Sequence, residues 1–311
     1  MNISRRSLLK GVLASGVVAM RPGQAQAREK RQPHPEAVGV LYDSTRCVGC
    51  GGCVVACKEA NGLPWDAPKE LSSTTKSVLK KKKVVAPGGE EATAFVRQQC
   101  MHCVDPSCVS ACMLGALHKE GEGKRDLGGE RQGTGIVLYD KSLCVGCRYC
   151  QIACAFAIPR FEWTSAAPGI VKCELCRQHA QPEAQGPLAQ ANPGCCQVCP
   201  AEALSYGRRT DLIVEARRRI AEDPQGYNPR VFGEVDGGGT QVLMLAGAGV
   251  SFQQLGLPKL PDHSSAYQSE RAVHAPYLSG ATPIALYATA AFIIRRNAPK
   301  SDEADVKGGA R

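Results

Sequence analysis

Aromatic side chains are scarce in this chain, at 5% of its 311 residues, so the rings that usually dominate a protein interior cannot be the whole of its core. Something else must organise it. Positive charge is present without being concentrated. The formal net charge is +9, yet no basic stripe accompanies a base-reading motif, and nucleic acid is not an expected partner. The one tight lysine run, at 80–83, lies in a polar stretch and reads as a solvated loop. The glycines at 237–239 lack the spacing of a phosphate-cradling loop and read as a turn into the strand "TQVLML". Acidic residues are missing from the first 27 positions, and Lys, Arg, Asp and Glu are all missing from 272–294.

Those two absences define the ends. The first 27 residues hold Arg5 and Arg6 within "SRRSLLK", an apolar stretch too short to span a bilayer, and Ala25-Gln26-Ala27, which fits a signal-peptidase site. Residues 1–27 are therefore expected to be a signal peptide of twin-arginine form, which exports folded proteins; an ordinary secretory signal is the alternative. Residues 272–294 are long enough to cross a bilayer and are expected to form a single C-terminal transmembrane helix, with a buried or interfacial segment as the alternative. Arg295, Arg296 and Lys300 would hold the tail, 295–311, in the cytoplasm and leave the body on the periplasmic side.

What the chain has in quantity is cysteine, 17 residues of it. An oxidising destination would suggest disulfides, but the spacing is too regular. Cys47, Cys50, Cys53 and Cys57 follow the pattern C-x2-C-x2-C-x3-C, and so do Cys144, Cys147, Cys150 and Cys154. This is the bacterial ferredoxin run, in which three close thiolates hold one iron-sulfur cluster and the fourth ligates a neighbour. A structural zinc ion prefers two well-separated pairs. Cys100, Cys103, Cys108 and Cys112 form a widened version. Cys173 and Cys176 are completed after an insertion by Cys199 and by either Cys195 or Cys196. In every other group three residues separate the last two cysteines, a rule that selects Cys195. Sixteen ligands make four 4Fe-4S clusters, with Cys196 left over.

"LYDSTRCVGC" from Leu41 returns as "LYDKSLCVGC" from Leu138, and the second and fourth groups end in "CMLGAL" and "CPAEAL". The expected fold is α+β: two ferredoxin-like units over 28–236, short strands such as "GIVLYD" beside the cysteine loops and a helix after each, then an extension over 237–271. Folding should depend on metal. His102 and Arg148 read as loop residues at the surface or at a partner interface. "TDLIVEARRRIAED" reads as an amphipathic surface helix N-capped by Thr210.

These groups, together with "QCMHCVDPSCVSAC", "KCELC", "GGGTQVLMLAG" and "LGLPKL", resemble the four-cluster iron-sulfur subunits of exported respiratory enzymes. Within these they are most similar to the electron-transfer subunits of membrane-bound nickel-iron hydrogenases of the hydrogenase 2 type. The resemblance implies a non-catalytic wire between the hydrogenase's small and large subunits and an integral membrane, quinone-reactive partner. The alternative is a molybdopterin enzyme such as a formate dehydrogenase or a sulfur-compound or dimethyl sulfoxide reductase. It also implies that the first group pairs with the fourth and the second with the third. The implied sets are Cys47/Cys50/Cys53/Cys199, Cys57/Cys173/Cys176/Cys195, Cys100/Cys103/Cys108/Cys154 and Cys112/Cys144/Cys147/Cys150. The family's proline after the fourth ligand stands here only at Pro200, with Lys58, Met113 and Ala155 elsewhere.

Overall fold

The structure is a computed structural model that describes residues 30–85, 88–121, 133–163, 168–177, 192–269 and 281–297. The expected signal peptide lies outside them. In chain order the elements are β1 (Val38–Asp43), α1 (Gly52–Ala60), β2 (Val78–Val85), β3 (Glu91–Gln98), α2 (Ser107–Ser110), β4 (Leu117–Lys119), β5 (Val137–Tyr139), α3 (Tyr149–Ala153), β6 (Arg160–Phe161), β7 (Ile170–Val171), α4 (Gly194–Gln197), β8 (Leu204–Arg208), α5 (Arg209–Glu222), β9 (Val242–Leu245) and α6 (Ala281–Asn297).

β1 is buried along its whole length because it is the middle strand of a three-stranded sheet, antiparallel to β8 and parallel to β9. Alternation along it divides the interior. Val38, Val40 and Tyr42 join the main core with Cys53, Cys173 and Cys195, while Leu41 packs with Leu212 and Ala216 of α5 and with Leu243 and Leu245 of β9. Cysteine takes the place that aromatic rings hold elsewhere. A smaller cluster of Leu117, Val137, Cys150, Phe161 and Ile170 serves the second half, around the antiparallel pairs β4–β5 and β6–β7.

Several expectations change here. The lysines at 80–83 belong to β2, which pairs with β3 in a hairpin whose register runs from Val78↔Gln98 to Val85↔Glu91. Buried Val78 and Val84 fix the strand, while Lys80 reaches Glu70 at 2.7 Å and Lys83 reaches Glu91 at 3.3 Å. The helix from Arg209 is amphipathic as expected, but its N-cap is Arg208, the last residue of β8. Strand runs directly into helix, so Thr210 lies inside the first turn and donates to Asp211 Oδ1 at 3.3 Å. β9 arises from the extension expected to follow residue 236, and residues 30–268 form one compact unit.

α6 belongs to a second unit. It begins at Ala281 and runs past the uncharged stretch through Arg295 and Arg296; residues 272–280 of the expected helix lie outside the described residues. Among the described residues, no helix is long and apolar enough to cross a membrane.

Candidate metal centres

Each "LYD" repeat is a strand end followed by a side-chain turn that delivers the chain into a cysteine loop. Asp43 Oδ1 accepts from the Thr45 N–H at 3.0 Å and from Thr45 Oγ1 at 2.6 Å. Asp140 Oδ1 accepts from the Ser142 N–H at 2.9 Å and from Ser142 Oγ at 2.6 Å. The tyrosines lie against the first cysteine of each loop: burial, reinforced by Cys47, pushes the Tyr42 hydroxyl up, and burial with Cys144 does the same to Tyr139. Within the loops Gly49 and Gly146 have φ of 76° and 71°. A Cβ on Gly49 would stand 2.2 Å from the Phe95 ring, and one on Gly146 2.6 Å from Pro168, so both need glycine for conformation and for space.

Strand pairing decides which cysteine groups meet. β1, before the first group, pairs with β8, after the fourth; β4, after the second, pairs with β5, before the third. Helices α1 and α4 are correspondingly in contact, as are α2 and α3. One small cavity is lined by Cys57, Cys173, Cys176 and Cys195 together with Arg97. Another is lined by Cys47, Cys50, Cys53 and Cys199. The Cys103 thiol feels Cys108, Cys154 and Cys100 as its charged neighbours, and Cys150 feels Cys112, Cys147 and Cys144. Among the described residues, no three His, Cys, Asp or Glu side chains converge as a single metal ion requires. In two of the sets the thiols line a cavity, an arrangement that a multinuclear cluster requires.

Electrostatics point the same way. Burial, with neighbouring cysteines adding to it, pushes Cys53 up to about 11 and Cys108 and Cys150 up to about 12. Burial likewise raises Cys100, Cys103, Cys173 and Cys176. Such thiols become thiolates only when positive charge is supplied, and metal coordination supplies it. Cys195 departs from the pattern. A hydrogen bond from Cys196, helped by the Arg97 guanidinium, holds it down at about 6, whereas the same bond and burial drive Cys196 well above the ordinary thiol range. Sulfur acceptors are partly satisfied by backbone donors: Leu175 N–H to Cys173 Sγ at 3.4 Å and Ala203 N–H to Cys199 Sγ at 3.3 Å.

Neither residue expected in a surface loop is simply that. His102 is fully buried. Its φ of 46° turns the ring inward, where Nδ1 accepts the Val137 N–H at 3.1 Å. Burial, with Lys172 and Lys119 nearby, holds it well below the usual imidazole range and therefore neutral. Arg148 is half-buried in a left-handed conformation, with its guanidinium 3.8 Å from the centre of the exposed Trp163 ring. The spacing of the cysteines gave no hint of the buried cations among them. Lys58, in place of the family's proline, donates to Pro64 O, Thr74 O and Thr75 Oγ1 and pairs with Asp66 at 2.9 Å. Lys119 donates to Cys103 O and Val104 O, and Lys172 to Val137 O and Cys173 O. Arg97 is 1% exposed. Its place on the same strand face as Phe95, three residues before Cys100, was the one available signal.

Residues 92–209 match the model of a 4Fe-4S dicluster domain. The chain is 36% identical to the hydrogenase-2 operon protein HybA of Escherichia coli O157:H7, over 97% of this chain and 98% of that protein. It is 29% identical to the formate dehydrogenase-O iron-sulfur subunit of Escherichia coli strain K12, over 78% of this chain and 77% of that one. It is 34% identical to the thiosulfate reductase electron transfer subunit PhsB of Salmonella typhi, over 57% and 78% respectively.

Proposed function

The chain belongs to the family of 4Fe-4S electron-transfer proteins that includes HybA, and from that premise we propose that it carries electrons between a periplasmic nickel-iron hydrogenase and a quinone-reactive membrane partner. It is an iron-sulfur subunit of a multisubunit oxidoreductase and not the catalytic one, and its cofactors are 4Fe-4S clusters. In this reading there are four, held by Cys47/Cys50/Cys53/Cys199, Cys57/Cys173/Cys176/Cys195, Cys100/Cys103/Cys108/Cys154 and Cys112/Cys144/Cys147/Cys150. The observation that carries the assignment is the pairing of β1 with β8 and of β4 with β5, which draws together groups far apart in the chain. Bound clusters would supply one-electron redox chemistry; the protein holds them, buries Cys53, Cys57, Cys100, Cys150, Cys173 and Cys195, and leaves two points of access. Cys50 and Cys147 are exposed, beside Val48 and Val145, each 64% exposed, so electrons would enter and leave beneath apolar partner contacts.

The membrane anchor in this reading combines residues 272–280 with α6. Seventeen helical residues cover only about 26 Å at 1.5 Å each, against a hydrocarbon core of about 30 Å, so α6 needs the preceding uncharged residues to span. Exposed Leu286, Phe292 and Ile294 support contact with lipid, and Arg295 and Arg296 support a cytoplasmic tail. The twin-arginine form of 1–27 supports a periplasmic body.

Elemental analysis of the full chain, purified anaerobically from gently solubilised membranes with its bound partners, tests the reading. Iron at or above about sixteen per chain with nickel is expected. Molybdenum in place of nickel would move the protein to a formate dehydrogenase or sulfur-compound reductase system, and zinc without iron would overturn the electron-transfer role.

A further inference from the structure

Among the described residues, Arg97 is a buried cation that donates to neither a carboxylate nor a backbone carbonyl. Lys58 pairs with Asp66, Arg219 with Asp43 and Glu215, and Lys119 and Arg209 are held by backbone carbonyls. Arg97 donates from Nη2 to Ser77 Oγ at 3.1 Å and acts on the Cys195 thiol, while its Nε and Nη1 form no hydrogen bond among the described residues. A desolvated charge left so nearly unpaired is strongly destabilising unless an opposite charge lies within reach. Its guanidinium borders the cavity lined by Cys57, Cys173, Cys176 and Cys195. Cys53, which lines the other cavity, is also among the thiols that act on it.

We propose that Arg97 is a counter-charge shared by the two clusters whose thiols act on it, and that it raises the reduction potential of both. The inference rests on the ligand sets proposed above. A cluster held by four thiolates is a net anion, and reduction adds one electron with no bond made or broken and no proton required. A fixed cation therefore favours the reduced form, net charge being one of the terms that set cluster potentials. The thiols that act most strongly on Arg97 belong to these two sets, so removing its charge should leave unmoved the other two clusters, one of which has Lys119 and Lys172 beside its thiols instead. Arg97 is thus a positioning charge that touches no substrate.

The test is an anaerobic redox titration, followed by electron paramagnetic resonance, on the full chain carrying its clusters, with iron measured in the same samples. Arg97→Gln removes the charge at similar length, and Arg97→Lys retains it. In Arg97→Gln with full iron, two of the four signals should titrate at lower potential by at least a tenfold change in the reduction equilibrium, about 59 mV for one electron. The other two should hold, and Arg97→Lys should stay within that shift of wild type. Unmoved potentials, equal movement of all four, or equal shifts in the Lys and Gln variants would overturn the proposal. If Arg97→Gln loses iron, retention of iron and potentials by Arg97→Lys supports the charge; loss in both assigns Arg97 to packing and overturns it. Fewer than four wild-type signals would remove the ligand-set reading itself, and this proposal with it, before any variant is made.

Discussion

Arg219 donates to Asp43 Oδ2 at 3.1 Å across the junction of α5 and β1, with both side chains buried. Tyr227 donates to the same oxygen at 2.9 Å. Asp43 therefore does two jobs: it turns the chain into the first cysteine loop, as Asp140 does into the third, and it ties the central strand to the helix behind it. Asp43→Ala should cost about 3–5 kcal/mol, the usual consequence of leaving a buried partner unpaired. Asp43→Asn, which keeps an acceptor oxygen, should cost less. Thermal midpoints of the iron-loaded protein at a fixed scan rate would check the order, and equal midpoints for Asp43→Ala and wild type would refute it.

Removing iron should leave no cooperative fold. The core that would remain contains Cys53, Cys100, Cys173 and Cys195 as buried members, and without metal the cavities they line have nothing to hold their walls. Calorimetry of chelator-stripped protein should show a broad, weak transition. A sharp melt with native near-ultraviolet dichroism would refute the dependence.

Cys195 and Cys196 are neighbours with opposite acidities, and only the first is poised to give up its proton. Cys196→Ser should retain full iron, whereas Cys195→Ser should lose about a quarter of it, one cluster in four. The reverse pattern would exchange their roles.

Acid should weaken α5 first at Glu215. Hydrogen bonds from Arg218 and then Arg219 hold this carboxyl down at about 2. A depressed carboxylate stabilises the fold above its unfolded value of about 4.3, and that contribution disappears as pH falls from there toward 2. The group is largely solvated, so its contribution should be below about 1 kcal/mol. Glu215→Gln should flatten the pH 5 to 2 limb of a stability profile slightly; an unchanged limb would show the pairs to be inert.

Replacing Arg5 and Arg6 with Lys should retain the protein in the cytoplasm, because the twin-arginine route reads that pair. Cell fractionation decides it, and normal periplasmic accumulation would count against the route.

Much of this was legible in one dimension because it is local. Cysteine spacing, the strand preceding each loop, the strand "TQVLML" and the amphipathic helix at Arg209 all depend on neighbours within a few residues. What stayed hidden depends on distant partners. The lysines at 80–83 became a strand because β3 was there to pair with it, and His102 turned inward because Val137 offered a donor. Lys58 stands where the family's proline was expected, and nothing local signals that Pro64, Thr74 and Asp66 enclose it. The same holds for Arg97, whose surroundings come from four separate stretches of chain.

The topology also has a consequence for how the protein is made. Among the described residues β1 is the first strand to leave the ribosome, and it is buried along its whole length in the finished molecule, yet both strands that flank it, at 204–208 and 242–245, are among the last synthesised. Until residues 204–208 are made, its sequence "VGVLYD" has both edges without their native partners, the state in which strands seek foreign ones. The inner pair β4–β5 closes over a far shorter loop and can form long before. The central sheet thus has all its strands only once β9 has been made.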